Sequence, residues 1–300
     1  MPCIWWFLNS LKTSKRDAAV LQVPNTFVVA KKPLPLEPLT AWGKLLFQQP
    51  VGVYPAMDKK EGESYFIADV HLERDELKKR VLFLSFLKMV GAGGADLYIL
   101  GDLFDYWANN RQVMKDHREV LNALLELSGT GSKVFFLIGN RDLLLGKKVL
   151  SRHGVHFLGE RTTLELQGRR LMLTHGHLLL TNDVRFQRYR RTKWPVYKVL
   201  DAVLPGCIEN KLADRFMRAS KKVIEAQDPW RFQFPDETVR KTFAEGADMI
   251  ICGHIHSPLV REYDDRNTFV VLPCWTAEKG GYLRLKDGLY EVRDFFAHTQ

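Results

Sequence analysis

Ser64-Tyr65-Phe66-Ile67-Ala68-Asp69-Val70-His71 and Asp96-Leu97-Tyr98-Ile99-Leu100-Gly101-Asp102 bracket the stretch that decides the fold class. Each is a short apolar run that stops at polar residues, and between them the segment from about Asp75 to Val90 reads as a helix. Outward from this unit, a second helical segment at about Gln112 to Ser128 leads to a third apolar run, Lys133 to Ile138. That order of strand, helix, strand, helix and strand predicts α/β layering.

Further along, the strands come as hairpins. Thr162 to Leu166 and Arg170 to Thr174 flank Gln167-Gly168, and Tyr282 to Lys286 and Tyr290 to Arg293 flank Asp287-Gly288. Met249 to Cys252 is one more apolar strand. Two sheets packed face to face with helices outside accommodate both patterns. Between Thr181 and about Glu245 the strand pattern stops, and a basic, aromatic stretch (Phe186, Arg188, Tyr189, Arg190, Arg191, Trp194) reads as an inserted helical cap. Residues 1–62, with Pro33, Pro35, Pro38, Pro50 and Pro55, read as an irregular N-terminal extension to a domain over residues 63–300. A translation start at Met57 or a weak interfacial anchor would each account for that extension.

Three hundred residues with 46% hydrophobic content suffice for one catalytic domain with a small insertion. The 44 Lys and Arg against 35 Asp and Glu, a formal +9, favour an anionic partner without choosing among phosphates, nucleic acid and lipid headgroups. Cys3, Cys207, Cys252 and Cys274 form no CxxC pair, which argues against a zinc knuckle or a disulfide framework and suits a reducing compartment. The apolar start Ile4 to Leu8 is far too short to span a bilayer, so no transmembrane helix is expected.

The chemistry sits where the apolar runs end: Asp69-Val70-His71, Gly101-Asp102, Gly139-Asn140-Arg141-Asp142, His175-Gly176-His177 and Gly253-His254-Ile255-His256. Ligands in α/β sheets gather at such carboxyl ends. A lone His after a strand is usually an ordinary loop residue, but five such loops in order predict a metal site. Carboxylate, amide oxygen and imidazole together suit borderline divalent ions and need no thiolate. In Asp-x-His and His-x-His the period of two lets both side chains face one way, and a preceding glycine lets backbones approach closely.

From Phe66-Ile67-Ala68-Asp69-Val70-His71-Leu72, Tyr98 to Asp105, Gly139-Asn140-Arg141-Asp142-Leu143-Leu144-Leu145-Gly146-Lys147, Leu173 to Gly176 and Met217-Arg218-Ala219-Ser220-Lys221, the chain resembles the calcineurin-like metallophosphoesterases over roughly residues 64–275. The nearest resemblance is to the members that cleave UDP-2,3-diacylglucosamine in lipid A biosynthesis. It implies a four-layer αββα sandwich of two mixed sheets with an inserted helical cap. It also implies two divalent ions, manganese by family habit, with Asp69, His71, Asp102 and His256 holding the first and Asp102, Asn140, His175 and His254 the second. Arg141, Asp102 and His175 would serve catalysis, and Asn140, Arg141, Asp183, Ser220 and His254 would contact substrate.

The reaction so implied hydrolyses the pyrophosphate to UMP and 2,3-diacylglucosamine 1-phosphate. Its substrate is a nucleotide-linked lipid, and the enzyme would be cytoplasmic and peripheral on the inner membrane. Arg141 stands where the fold's commoner motif has His, which favours an anhydride whose leaving phosphate needs no proton. His177 stands where Asp is usual. No nucleic-acid motif appears, so nucleic acid is not an expected partner. The alternatives are another nucleotide or phosphodiester as substrate, or a non-catalytic protein-binding scaffold; all seven ligand positions carrying competent donors weighs against the scaffold.

Overall fold

The computed structural model describes residues 52–53, 62–107, 111–192, 196, 233–264 and 266–296. The chain divides into compact units Met1–Gln48 and Gln49–Gln300, and every described residue belongs to the second. Most of the N-terminal extension and of the cap, Ser220 included, lies outside the described residues.

One sheet runs in the order β12-β11-β2-β3-β4-β5, built from Leu289–Phe295, Gly280–Lys286, Ser64–Ile67, Asp96–Ile99, Val134–Leu137 and Val155–Gly159. The other runs β1-β6-β7-β8-β10-β9, from Gly52–Val53, Arg161–Leu166, Arg169–Thr174, Met249–Cys252, Thr268–Val271 and Leu259–Glu262. Both are mixed. β2, β3, β4 and β5 pair in parallel, as do β7, β8 and β10, while β6/β7, β9/β10 and β11/β12 are antiparallel.

Alternation along the buried strands builds the layers. Tyr65, Ile67, Leu97, Ile99, Val134 and Phe136 face α1 (Leu77–Ala92) and α3 (Arg118–Gly129). Their neighbours Phe66, Ala68, Tyr98, Leu100, Phe135 and Leu137 face the other sheet and meet Leu164, Leu171, Leu173, Met249, Ile251 and Val270. Within that layer Phe66, Tyr98 and Phe135 stack in a column, with centroids 4.7 and 4.6 Å apart. The outer face of the second sheet, Met172, Ile250, Cys252, Phe269 and Val271, is covered by Val239 and Phe243 of a helix at Asp236–Phe243. Helix, sheet, sheet and helix are therefore stacked as the sequence pattern predicts.

Some elements differ from the sequence reading. The helical segment at 112–128 is two helices, α2 (Arg111–Asp116) and α3, which part at His117, where φ is −105° and ψ 12°. The His117 ring turns inward onto Phe104, 4.4 Å between centroids, and burying it there interrupts the helix. Gly52–Val53, within the stretch read as irregular, pairs in parallel with β6. A short α4 (Lys147–Arg152) and strands β5, β9 and β10 add to the expected set. In the cap, α5 (Val184–Thr192) and α6 (Asp236–Phe243) are the described helices.

Candidate metal centre

Each of the five polar motifs at the ends of apolar runs follows a strand: Asp69 and His71 follow β2, Asp102 β3, Asn140 β4, His175 β7, and His254 and His256 β8. The loops after β2 and β3 continue the ladder beyond the strands through Asp69 N–H to Gly101 O (3.2 Å), His71 N–H to Asp102 O (2.9 Å) and Leu72 N–H to Leu103 O (2.9 Å). The two sheets are joined at the same end, since His254 N–H donates to Asp69 Oδ2 (2.7 Å) and His175 Nδ1 lies 2.9 Å from Leu100 O, while within the second sheet Gly253 N–H donates to His175 O (2.8 Å).

Seven non-glycine residues among those described have positive φ, and five are candidate ligands: Asp69 (54°), His71 (48°), Asp102 (52°), His254 (78°) and His256 (55°). The other two, Gln167 and Asp287, are the hairpin-turn positions read from sequence. A left-handed non-glycine residue costs roughly 1–2 kcal/mol, so the surrounding hydrogen bonds hold five such residues against their preference. Strain of this kind concentrates at functional sites.

The five strained residues, with Asn140 and His175, bring seven donor atoms to two adjoining points. In one group Asp69 Oδ1 lies 3.6 Å from His71 Nε2 and 3.4 Å from His256 Nε2, the two imidazole nitrogens are 3.0 Å apart, and Asp102 Oδ2 is 3.8 Å from His71. In the other, His175 Nε2 lies 3.4 Å from Asp102 Oδ2, 2.9 Å from Asn140 Oδ1 and 3.2 Å from His254 Nδ1. Asp102 Oδ2 reaches both His71 and His175, and so does Asp69 Oδ1 (3.6 and 3.9 Å), so both carboxylates lie between the two groups.

Ligands about 2.1 Å from a common ion lie roughly 3.0 Å apart when adjacent and up to about 4.2 Å apart when opposite, so spacings of 2.9–3.8 Å within the groups fit a cation in each. A further sign is Asp69 Oδ1, buried and without a hydrogen-bond partner among the described residues, which protein interiors rarely tolerate. His175 is prepared as a ligand: Nδ1 lies 2.9 Å from Leu100 O, which can only accept, so the hydrogen is on Nδ1 and the neutral ring's lone pair on Nε2.

Two groups near the donors have structural duties that the motifs alone did not reveal. Asp142 is buried and accepts Gly139 N–H (2.7 Å) and Leu103 N–H (3.0 Å), clamping the third loop to the second. Burial and the charge of Asp102 push its pKa up to about 7. Gly139 and Gly253 admit Asp102 and Asp69, because a Cβ on either would stand within 2.2 Å of a carboxylate oxygen.

Arg141 is half-buried beside the cluster, and its backbone N–H donates to Asp102 Oδ1 (2.7 Å). Asp183 sits outside both donor groups and caps α5 by accepting Phe186 N–H (3.0 Å). His177 is fully buried, its ring centroid 5.6 Å from that of His175 and 5.7 Å from that of Phe186.

Without a cation, the cluster neutralises itself. Burial opposes charge on His175, yet Asp102 and Asp69 outweigh it and bring the pKa up to about 9; His71 is raised against burial by Asp69 and Asp102. Burial likewise opposes ionisation of Asp69 and Asp102, but His175 beside them holds both well below the usual range. Burial, then the charge of His175, pushes His254 down to about 3, so it is already neutral.

A divalent cation must therefore displace protons, chiefly from His175. The proton competes below the raised pKa and ceases to compete above it. Mn²⁺ affinity is accordingly expected to rise about tenfold per pH unit for each displaced proton and to flatten as pH passes about 9. Affinity titrations across that range, with proton release followed in weak buffer, check this; a pH-independent affinity would contradict it.

Residues 64–258 match the family model described as calcineurin-like phosphoesterase. Among curated proteins, the UDP-2,3-diacylglucosamine hydrolase of Photorhabdus laumondii is 34% identical over 77% of this chain and 98% of its own length. That of Stenotrophomonas maltophilia is 34% identical over 74% and 94%. Among solved structures, a dimetal phosphatase from Danio rerio aligns at a TM-score of 0.47 with 15% identity, over 78% of this chain and 96% of that one. With the two mixed sheets, the shared-carboxylate cluster at their common end and a family match over most of the described domain, the chain belongs to the calcineurin-like phosphoesterases.

Proposed function

We propose that this site hydrolyses the pyrophosphate of UDP-2,3-diacylglucosamine to UMP and 2,3-diacylglucosamine 1-phosphate. The observation that carries the reading is the pair of donor groups sharing Asp102 Oδ2, on a chain that aligns with nearly the whole length of hydrolases named for that substrate. Asp69, His71, Asp102 and His256 would hold one divalent ion, and Asp102, Asn140, His175 and His254 the other. Manganese is the ion the resemblance implies. When bound there, two divalent ions would polarise a phosphoryl group and lower the pKa of water enough to supply hydroxide near neutral pH.

The chain's own residues do the rest. Asn140 and His254, themselves donors of the second group, are also assigned to position the phosphoryl oxygens. Arg141, anchored by its backbone to Asp102, supplies a fixed cation for charge that builds up as the P–O anhydride bond breaks. The departing phosphate ester is a stable anion, so a charge-neutralising guanidinium serves where an alkoxide would need an acid. By the family resemblance, Asp183 and Ser220 are assigned to the nucleotide half, Asp183 standing just ahead of α5.

Arg141→Gln is expected to lower kcat by about 10²–10³-fold with a smaller change in KM, and Arg141→Lys to recover part of the loss. Steady-state kinetics on both variants decide it; an unchanged kcat in Arg141→Gln would remove Arg141 from the transition state.

No helix among the described residues is long and apolar enough to cross a membrane. Peripheral contact with the cytoplasmic face is supported by Leu77 (66% exposed) and Val184 (69% exposed), which start the helices leading from ligand loops. Exposed Arg74, Lys78, Arg188 and Arg191 flank them, a combination of apolar and basic groups suited to an anionic lipid surface. The deciding assay offers purified protein and Mn²⁺ both UDP-2,3-diacylglucosamine and a generic aryl phosphodiester; turnover of the phosphodiester alone would sink the lipid assignment.

A further inference from the structure

His175 commits its Nδ1 hydrogen to the Leu100 carbonyl, but His71 Nδ1 is buried and has no hydrogen-bond partner among the described residues. The opposite nitrogen of His71, Nε2, is the one that faces Asp69, Asp102 and His256. A neutral imidazole that offers Nε2 to a cation carries its hydrogen on Nδ1. A buried N–H left without an acceptor costs roughly 1–3 kcal/mol, so ligation by His71 calls for an acceptor on its far side.

Asp105 occupies that side. Its Oδ1 is 3.7 Å from His71 Nδ1, and backbone pairing fixes where it stands. Beyond the ends of β2 and β3 the two loops stay in register, with a bridge between Leu72 and Phe104 and a bond from Asp105 N–H to Leu72 O (3.2 Å). This register sets Asp105, three residues after the shared ligand Asp102, alongside His71. The Asp105 side chain is 34% exposed, so its carboxylate can turn to close the last few tenths of an ångström. It belongs to neither donor group, unlike Asp69 and Asp102.

We propose that Asp105 is the positioning residue of His71: its carboxylate accepts the Nδ1–H, fixes the ring's tautomer and orientation, and makes Nε2 a stronger donor. The assignment rests on the reading above in which His71 holds a cation. It adds a carboxylate–imidazole pair on one side of the centre to match the carbonyl–imidazole pair of Leu100 and His175 on the other.

The test uses metal binding alone. Full-length chain stripped by chelation is titrated with Mn²⁺ against a competing chelator, without lipid. In Asp105→Ala, one of the two sites is expected to weaken by about 10–100-fold, the usual effect of removing a partner of a ligating His, while the other stays within about threefold. Asp105→Glu is expected to recover most of the loss, a rescue that a general packing defect would not show. Should Asp105→Ala fail to fold, the similarly sized Asp105→Leu, which offers no acceptor, is expected to show the weakened site instead. Wild-type affinity at both sites in the Ala or Leu variant, or no recovery with Glu, would overturn the assignment. A wild-type chain that binds two ions yet leaves UDP-2,3-diacylglucosamine intact would overturn the hydrolase reading and not this one.

Discussion

Asp102→Asn is expected to retain at most one divalent ion per chain and to lose about three orders of magnitude in turnover, some 4 kcal/mol of transition-state stabilisation. Asp102 Oδ2 faces both donor groups, 3.8 Å from His71 Nε2 and 3.4 Å from His175 Nε2, while Oδ1 accepts Arg141 N–H. Asn keeps the shape and can keep the Arg141 bond through its own oxygen. It then turns an NH₂ toward the two sites, so that each loses one donor and both lose the shared negative charge.

The variant also separates ligation from folding. In the metal-free protein the Asp102 carboxylate helps to keep His175 protonated up to about pH 9. Losing it lowers the His175 pKa, so the proton competition described above weakens even as a ligand disappears. A purely electrostatic role for Asp102 would weaken both ions yet still let two bind at high Mn²⁺, whereas a bridging role abolishes two-ion binding at every pH. Metal content by elemental analysis and turnover in excess Mn²⁺ distinguish the two; two bound ions with wild-type rates would end the shared-ligand reading.

The strands that carry ligands were legible because each is an apolar run cut short by Asp, Asn or His, a pattern visible without knowing its neighbours. Of the strands that carry none, β6, β11 and β12 were read from their hairpin turns, and the others were less visible. Leu259–Glu262 is exposed throughout, so it shows neither alternation nor a buried run, and Val155–Gly159 pairs with β4 across a register shift that spoils its period. The break at His117 arises from a tertiary contact with Phe104, which helical periodicity does not record.

Within the centre, residue types could be read but not their division of labour. Asp102 and Asp142 are both buried acids next to glycine-containing loops, yet one turns an oxygen to the imidazoles and the other spends both oxygens on backbone N–H groups. Only the crossing of two loops decides which does which. The left-handed backbone at five ligands is likewise imposed by hydrogen bonds between loops, against the local preference of Asp and His. The assignment of Ser220 falls outside the described residues, and that of Asp183 coexists with a capping role that a single acid ahead of a helix already suggests.

Gly139→Ala tests that interlocking, and it is expected to destabilise the domain by about 3 kcal/mol or more, with loss of the ion held through Asn140. A Cβ at 139 would lie 2.1 Å from Asp102 Oδ1 and 2.4 Å from the Asp102 backbone nitrogen. Neither atom can yield cheaply. Asp102 is held by its place at the end of β3 and through its carbonyl by His71 N–H, while Gly139 is held by Asp142 and Asn140 by its contact with His175. Relief requires the loops after β3 and β4 to part, which pulls Asn140 away from His175 and Arg141 away from Asp102 together. The comparison is Gly129→Ala at the end of α3, where an added Cβ meets nothing within 4 Å and a change of up to about 1 kcal/mol toward greater stability is expected. Thermal melts of the metal-free proteins should separate the pair by roughly 6–12 °C or more, taking about 2–4 °C per kcal/mol for a domain of this size. If Gly139→Ala melted with the wild type and still bound two ions, the close approach of the second and third loops would not be what holds Asp102 and Asn140 in register.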